Sequence, residues 1–211
     1  MNAPGLRERK KQRMFRTLSD IAVELFLEKG FDAVSVAEVA AAAEVSKPTL
    51  FRYFPAKEDL VLHRIADHED EAARVAVQGP EPIDALRRHF LAGLDRCDPV
   101  TGLNDHPAVL AFHRLLYGTP ALVARMHTQL ERSEAALAEA LGGGLAARLA
   151  AGQIIAVQRI LALENWRRIS GGERVEDVRA DAVAAAERAF AGLEAGLAAG
   201  LGTGPPRSTT E

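Results

Sequence analysis

Residues 35–57 read SVAEVAAAAEVSKPTLFRYFPAK, and this stretch decides how the chain is organised. Ser35 followed three residues later by Glu38 is a capping box, in which hydroxyl and carboxylate each satisfy an amide that a helix start leaves without a partner. The pattern predicts a helix from Val36, with Val36, Val39, Ala40 and Ala43 forming a narrow apolar face that lets a second helix approach closely. Ser46 predicts a second N-cap, and Pro48 falls in the first turn behind it, where a missing N–H costs little. On this second helix Leu50, Phe51 and Phe54 are expected to face inward. Lys47, Pro48, Thr49, Arg52 and Tyr53 are left outside, a mix of hydrogen-bond donors and small apolar groups suited to a helix that reads the major groove of DNA. The bland alternative is an ordinary helical hairpin in a helical core.

Working outward, Leu18, Ile21, Ala22, Leu25 and Phe26 repeat at three and four and predict a preceding helix that Gly30 ends. Pro55 breaks the reader helix, and a connector helix is expected from about Ala56 to Val77. Beyond Gly79-Pro80-Glu81-Pro82, turn clusters separate helical segments at roughly 82–96, 107–117, 120–141, 145–169 and 175–199. Nothing between them alternates like a strand, so the fold class is all-α with about nine helices. Residues 1–6 and GTGPPRSTTE at 202–211 are expected to be disordered.

The 211 residues, 48% of them hydrophobic, suffice for a substantial core. Net charge is −3, which says nothing for a nucleic-acid partner, but its distribution does. Residues 1–57 carry ten Lys/Arg against seven Asp/Glu, leaving sixteen against twenty-two for the rest. Arg7, Arg9, Lys10, Lys11, Arg13 and Arg16 make a basic start suited to phosphate, or simply a solvated tail. No apolar run approaches the ~20 residues of a membrane span and no apolar stretch follows the basic start, so a cytoplasmic protein is expected. Cys97, the only cysteine, excludes an intramolecular disulfide and a cysteine-based zinc site, and is expected to be a small buried residue. His63, Asp67 and His68 lie within two turns but sit in a heavily charged stretch, and no metal, cofactor or catalytic set is assigned.

Two later helices have a distinct character. From Ile154 to Leu163 the chain is apolar on nearly all sides, which implies burial between two surfaces, one of them expected to be another subunit. Val183, Ala186, Phe190, Leu193 and Leu197 form a stripe beside many alanines. Ile154, Leu161, Val183, Ala186, Phe190 and Leu193 are the expected dimer seam, unless the alanines merely reflect helix propensity.

AEVAAAAEVSKPTLFRYFPAKEDL at 37–60, with TLSDIAVELFLEKGF at 17–31, resembles the DNA-binding signature of the TetR/AcrR regulators over roughly residues 9–62. Glu44 departs from it where the inter-helix turn often has glycine, and Ala37 where a long polar residue is usual. The resemblance implies a helix-turn-helix domain at 7–56, a connector helix at 57–78, an effector-binding and dimerisation domain at 79–200 and a disordered tail at 201–211. It implies a homodimeric, ligand-responsive regulator, a repressor on a palindromic operator, whose last two helices form the dimer bundle. Arg13, Arg16, Thr49, Tyr53 and Lys57 would contact phosphates. Ser35, Val36 and Ser46 would stand at the helix starts facing DNA, and Lys47, Pro48 and Arg52 would face base edges. Phe90, Leu94, Phe112, His113, Leu116, Tyr117 and Trp166 are the candidate effector contacts, for a small hydrophobic or acyl-CoA-like molecule; AFHRLLYGTPALVARM and ENWRRISGG look somewhat similar to members proposed to bind acyl-CoA-like ligands. The competing expectation is a helical small-molecule-binding or enzymatic bundle that keeps a non-functional reader.

Overall fold

A computed structural model describes residues 5–66 and 68–201. Residues 1–4, Asp67 of the histidine cluster and the expected tail from 202 lie outside the described residues. Ten α-helices and a short 3-10 turn make up the described chain, with no strand among them: α1 Leu6–Lys29, α2 Val36–Ala42, α3 Lys47–Tyr53, α4 Asp59–Ala66, α5 Glu71–Ala76, α6 Pro82–Asp95, the 3-10 turn Pro99–Thr101, α7 Pro107–Gly118, α8 Pro120–Ala140, α9 Gly144–Ser170 and α10 Val175–Leu201. The extra helix arises because the expected connector is two helices, α4 and α5, with turns at 68–70 between them.

The chain forms two compact units, residues 1–69 with 107–129 and residues 70–106 with 130–211. This division differs from the expected domains. It falls inside the connector stretch, and it groups α7 and the first part of α8 with the reader. The reason is packing: Phe112, Leu116 and Leu122 share one apolar cluster with Leu18, Val23, Phe26, Leu50 and Leu60.

In the first unit α1 packs against α2, α4 and α7. The buried Ser19 hydroxyl donates to the Leu60 carbonyl at 2.6 Å, so this buried polar group of α1 is satisfied by α4. Arg64 reaches Asp20 at 2.8 Å and lies over the Phe112 ring, tying α4 to both α1 and α7.

In the second unit α10 packs along α9 and α6. Phe90 and Phe190 meet with ring centroids 6.1 Å apart, and Arg87 bridges Asp84 on its own helix and Glu187 on α10. Gly102 has φ +73°, and a Cβ there would sit 1.9 Å from the Ala162 carbonyl oxygen, so only glycine lets the turn after Thr101 lie against α9. Asn165 fastens the same contact by donating to the Thr101 carbonyl at 2.9 Å. Cys97 is half-buried rather than buried, in a left-handed conformation with φ +52°. Arg179 donates to the Leu94 carbonyl at the end of α6 and lies 3.0 Å from the Cys97 sulfur.

By length and composition α9 is the one described helix that could cross a bilayer. One side of it, through Ala147, Ala150, Ala151, Ile154 and Ile155, is packed inside the second unit. Leu145, Leu149 and Ile160 on the same helix are exposed, so its apolar character is only half accounted for within the chain.

Candidate nucleic-acid interface

Two seven-residue helices are too short to persist on local hydrogen bonds alone, and each is held at its start by a serine. The Ser35 hydroxyl accepts from the Glu38 amide at 3.1 Å. The Glu38 carboxyl is held below the usual carboxylate range first by its hydrogen bond to Lys29, at 2.6 Å, and also by the Ser35 amide, the reciprocal half of the capping box. At α3 the Ser46 hydroxyl accepts from the Thr49 amide at 3.2 Å and pairs with the Thr49 hydroxyl at 2.7 Å. Between the two helices Glu44 takes φ +55°, the left-handed conformation that glycine would adopt freely. The turn therefore keeps its geometry at some cost in backbone energy.

These caps fix which side chains α3 presents. Leu50 and Phe54 are buried, whereas Lys47, Pro48 and Arg52 are exposed and Thr49 is half-buried. Phe51 is not an inward residue as expected from the sequence: it is 40% exposed, because Leu50 and Phe54, four apart, already fill the inward side. Lys47 sits with its ammonium 5.8 Å from the Phe51 ring centroid. Tyr53 turns its ring inward against Phe15, with centroids 5.0 Å apart at 83°, and the Arg52 guanidinium lies over the same Tyr53 ring, 5.8 Å from its centroid.

Lys57 has a different setting from that expected of a phosphate ligand. Its ammonium donates to the Phe31 carbonyl and lies 4.2 Å from the Phe31 ring centroid and 5.3 Å from that of Phe26. Arg13 and Arg16 are exposed on α1, while Val36 is half-buried against the core. After α3 the chain is held by Asp59, which accepts from the Ala56 amide at 3.1 Å and receives Arg125 of α8 through two hydrogen bonds, 2.8 and 3.1 Å. Neither Arg125 nor Asp59 belongs to a motif in the sequence that points to this pair. They lie 66 positions apart, and no local spacing signals the pair. His63 of the set-aside histidine cluster packs between the Phe15 and Phe54 rings, at 5.4 and 5.5 Å.

The candidate effector residues divide between the units. Phe112, Leu116, Tyr117 and His113 belong to the first, where burial pushes the His113 imidazole below its ordinary pKa. Phe90, Leu94 and Trp166 belong to the second. Of the expected dimer seam, Ile154, Ala186, Phe190 and Leu193 are buried within a single copy of the chain. The structure moves these four from a subunit seam into the chain's own core, since α6, α9 and α10 already cover them. Leu161 is half-buried and Val183 exposed.

A capped helix pair set at the front of an all-helical chain, with a basic first helix beside it, defines a helix-turn-helix protein. Residues 18–63 match the family described as bacterial regulatory proteins, tetR family. The HTH-type transcriptional regulator TcmR of Streptomyces glaucescens is 35% identical over 142 residues, a match that covers 65% of this chain and 62% of that relative's length. Among solved structures, a TetR-family regulator from Streptomyces coelicolor superposes with a TM-score of 0.56 at 23% identity, covering 90% of this chain and 99% of the other. NalD of Pseudomonas aeruginosa, the secondary repressor of the MexAB-OprM multidrug efflux pump, superposes at 0.57 with 16% identity, over 85% and 96% of the two chains. Residues 18–63 thus match the tetR family, and over 65% of its length the chain is similar to a transcriptional regulator.

Proposed function

We propose that this protein is a cytoplasmic, ligand-responsive transcriptional repressor that binds a near-palindromic DNA operator as a homodimer and leaves it when a small hydrophobic or amphiphilic molecule binds. The observation that carries the reading is α3 itself: a helix pinned by Ser46, backed by buried Leu50 and Phe54, with Lys47, Pro48 and Arg52 left to solvent on one side. Arg13 and Arg16 supply cations for phosphates, and Ser35 and Ser46 fix the two helix starts that face them. Lys57 contributes by holding the loop after α1 rather than by meeting phosphate. The name of TcmR and the role of NalD as a repressor support regulation over catalysis.

For the dimer, the apolar side chains left exposed on the last two helices, Ile160, Leu145, Leu149 and Val183, take the place of the buried stripe as the surface to be covered by a second copy. For the effector, NalD controls a multidrug pump, and the apolar Phe112, Leu116 and Tyr117 lie in the same unit as the reader. An uncharged hydrophobic molecule and an acyl-CoA-like one are the two candidates. Either acts only by binding the DNA-free state more tightly than the DNA-bound state.

The test is a mobility shift with the protein's own upstream DNA against scrambled duplex. A sequence-dependent complex is expected, and Lys47→Ala should flatten the ranking of operator variants, each good base contact being worth ~1–3 kcal/mol of discrimination. Complexes of equal strength on all duplexes would leave the non-functional-reader alternative standing. Titrating the complex with long-chain acyl-CoAs and with uncharged aromatics then separates the two effector classes.

A further inference from the structure

Among the large apolar side chains left exposed in the described residues, Phe51 is the one aromatic. It takes no place in the apolar cluster of its unit, so the fold does not require its ring. Its position is not incidental. Lys47 and Phe51 are one helical turn apart on the outer side of α3, and the lysine ammonium lies 5.8 Å from the ring centroid. A flexible lysine is thereby delivered to a fixed place beside an apolar surface, with less freedom left to lose on binding.

The major groove offers a helix few features that match such a pair. Its one prominent apolar feature is the 5-methyl group of thymine, and its densest acceptor pair is O6 and N7 of guanine. Successive bases on one strand lie ~3.4 Å apart, within the span of two side chains one turn apart on a helix. We infer that Lys47 and Phe51 together read a pyrimidine 5-methyl group adjacent to a guanine: the phenyl ring packs on the methyl, and the ammonium donates to guanine O6 or N7. This rests on the DNA-binding reading above and deepens it, because it names the chemical group recognised. The methyl can come from thymine or from 5-methylcytosine, so the pair accepts a TG step or a methylated CG step and discriminates against the same step without the methyl.

The experiment uses the full-length protein. Selection from a random duplex library supplies the bound sequence, and each thymine of that duplex is then replaced in turn by deoxyuridine, which lacks only the methyl. Fluorescence anisotropy should find one thymine in each half-site, next to a guanine, whose replacement weakens binding about fourfold, the value of one buried methyl. At that position 5-methylcytosine should bind tighter than cytosine by a similar factor. Phe51→Ala, which removes the ring from both half-sites at once, should weaken the thymine duplex to at least the level of the duplex carrying deoxyuridine in both half-sites and erase both differences, while Phe51→Leu should keep a reduced one. Lys47→Ala should lose the guanine preference and keep the methyl dependence. Because the ring lies outside the core, Phe51→Ala should unfold at the wild-type temperature, and the deoxyuridine series on wild-type protein stands without any variant. Sequence-dependent binding that ignores every methyl, or a methyl dependence that survives Phe51→Ala, overturns this inference alone. Failure of the library to enrich any sequence overturns it together with the DNA-binding reading.

Discussion

Ser46 holds the start of α3 through an amide three residues away, whereas Arg87 on α6 holds α10 through Glu187, one hundred positions along the chain. The contrast extends to the helices themselves. In the reader, α2 and α3 have seven residues each and carry side-chain caps; in the second unit α9 has 27 residues and starts at Gly143 with no side-chain cap. A two-turn helix has too few internal hydrogen bonds to survive frayed ends, so its caps decide whether it exists. A helix of seven turns is instead held by the faces it buries. The reader is thus specified by local chemistry and the second unit by packing across long sequence separations.

The sharpest way to break this comparison is to put a charge where packing alone holds the chain. Ala186→Glu places a carboxylate in a fully buried site between helices and should cost ~3 kcal/mol or more, abolishing cooperative unfolding rather than merely separating subunits. Val183→Glu, on the exposed side of the same helix, should leave the unfolding temperature nearly unchanged and act on the proposed dimer alone. Calorimetry with sedimentation separates the two, and equal stability of both variants would return Ala186 to a subunit seam.

A smaller effect tests the reader. Lys57→Ala removes a hydrogen bond to the Phe31 carbonyl and the cation from two aromatic rings, and should lower stability by about 1–2 kcal/mol in chemical denaturation. Loss of DNA affinity at unchanged stability would instead restore it to the phosphate contacts. Glu44→Gly should act in the opposite sense, raising stability by roughly 0.5–1 kcal/mol as the left-handed strain at the turn is relieved and partly offset by the freedom glycine gains when unfolded. A decrease would mean that the Glu44 side chain, not its backbone, matters there.

The smallest effect concerns acid. Burial lowers the His113 pKa below its ordinary 6.5, so the unfolded chain binds this proton more readily than the folded one. Its contribution is intact above the unfolded pKa and is lost progressively as pH falls below it toward the lowered folded value. Between about pH 7.5 and 5.5 the unfolding temperature of wild type should fall further than that of His113→Gln. Identical falls would show that the imidazole is not shielded.

What could be read from the sequence follows the same division. The two serine caps and the helix boundaries around them are legible because each depends on residues within four positions, whereas the left-handed turn at Glu44 is signalled only by the glycine that the family resemblance implies there. Phe51 departs from the expectation because apolarity alone does not make a residue inward: Leu50 and Phe54 at a spacing of four fill the inward side and leave Phe51 about 100° around the helix from Leu50. The seam was misplaced for a related reason. A periodic stripe identifies the side of α10 that is covered, but does not say whether the cover comes from the same chain; here α6 and α9 supply it to Ala186 and Phe190. The Asp59–Arg125 pair could not be found by any local rule, and neither could the break between α4 and α5.

The grouping of residues 107–129 with residues 1–69 has a consequence for how the protein is made. When a ribosome has delivered Glu69, the reader has its caps but lacks Phe112, Leu116 and Leu122 to close its apolar cluster, and Arg125 to meet Asp59. At translation speeds of ~5–20 residues per second the missing helices arrive roughly 3–12 seconds later, after the whole of α5 and α6. Throughout that interval the nascent chain carries an open apolar surface, a natural docking place for a chaperone. A gene truncated after the signature would leave it in that condition permanently.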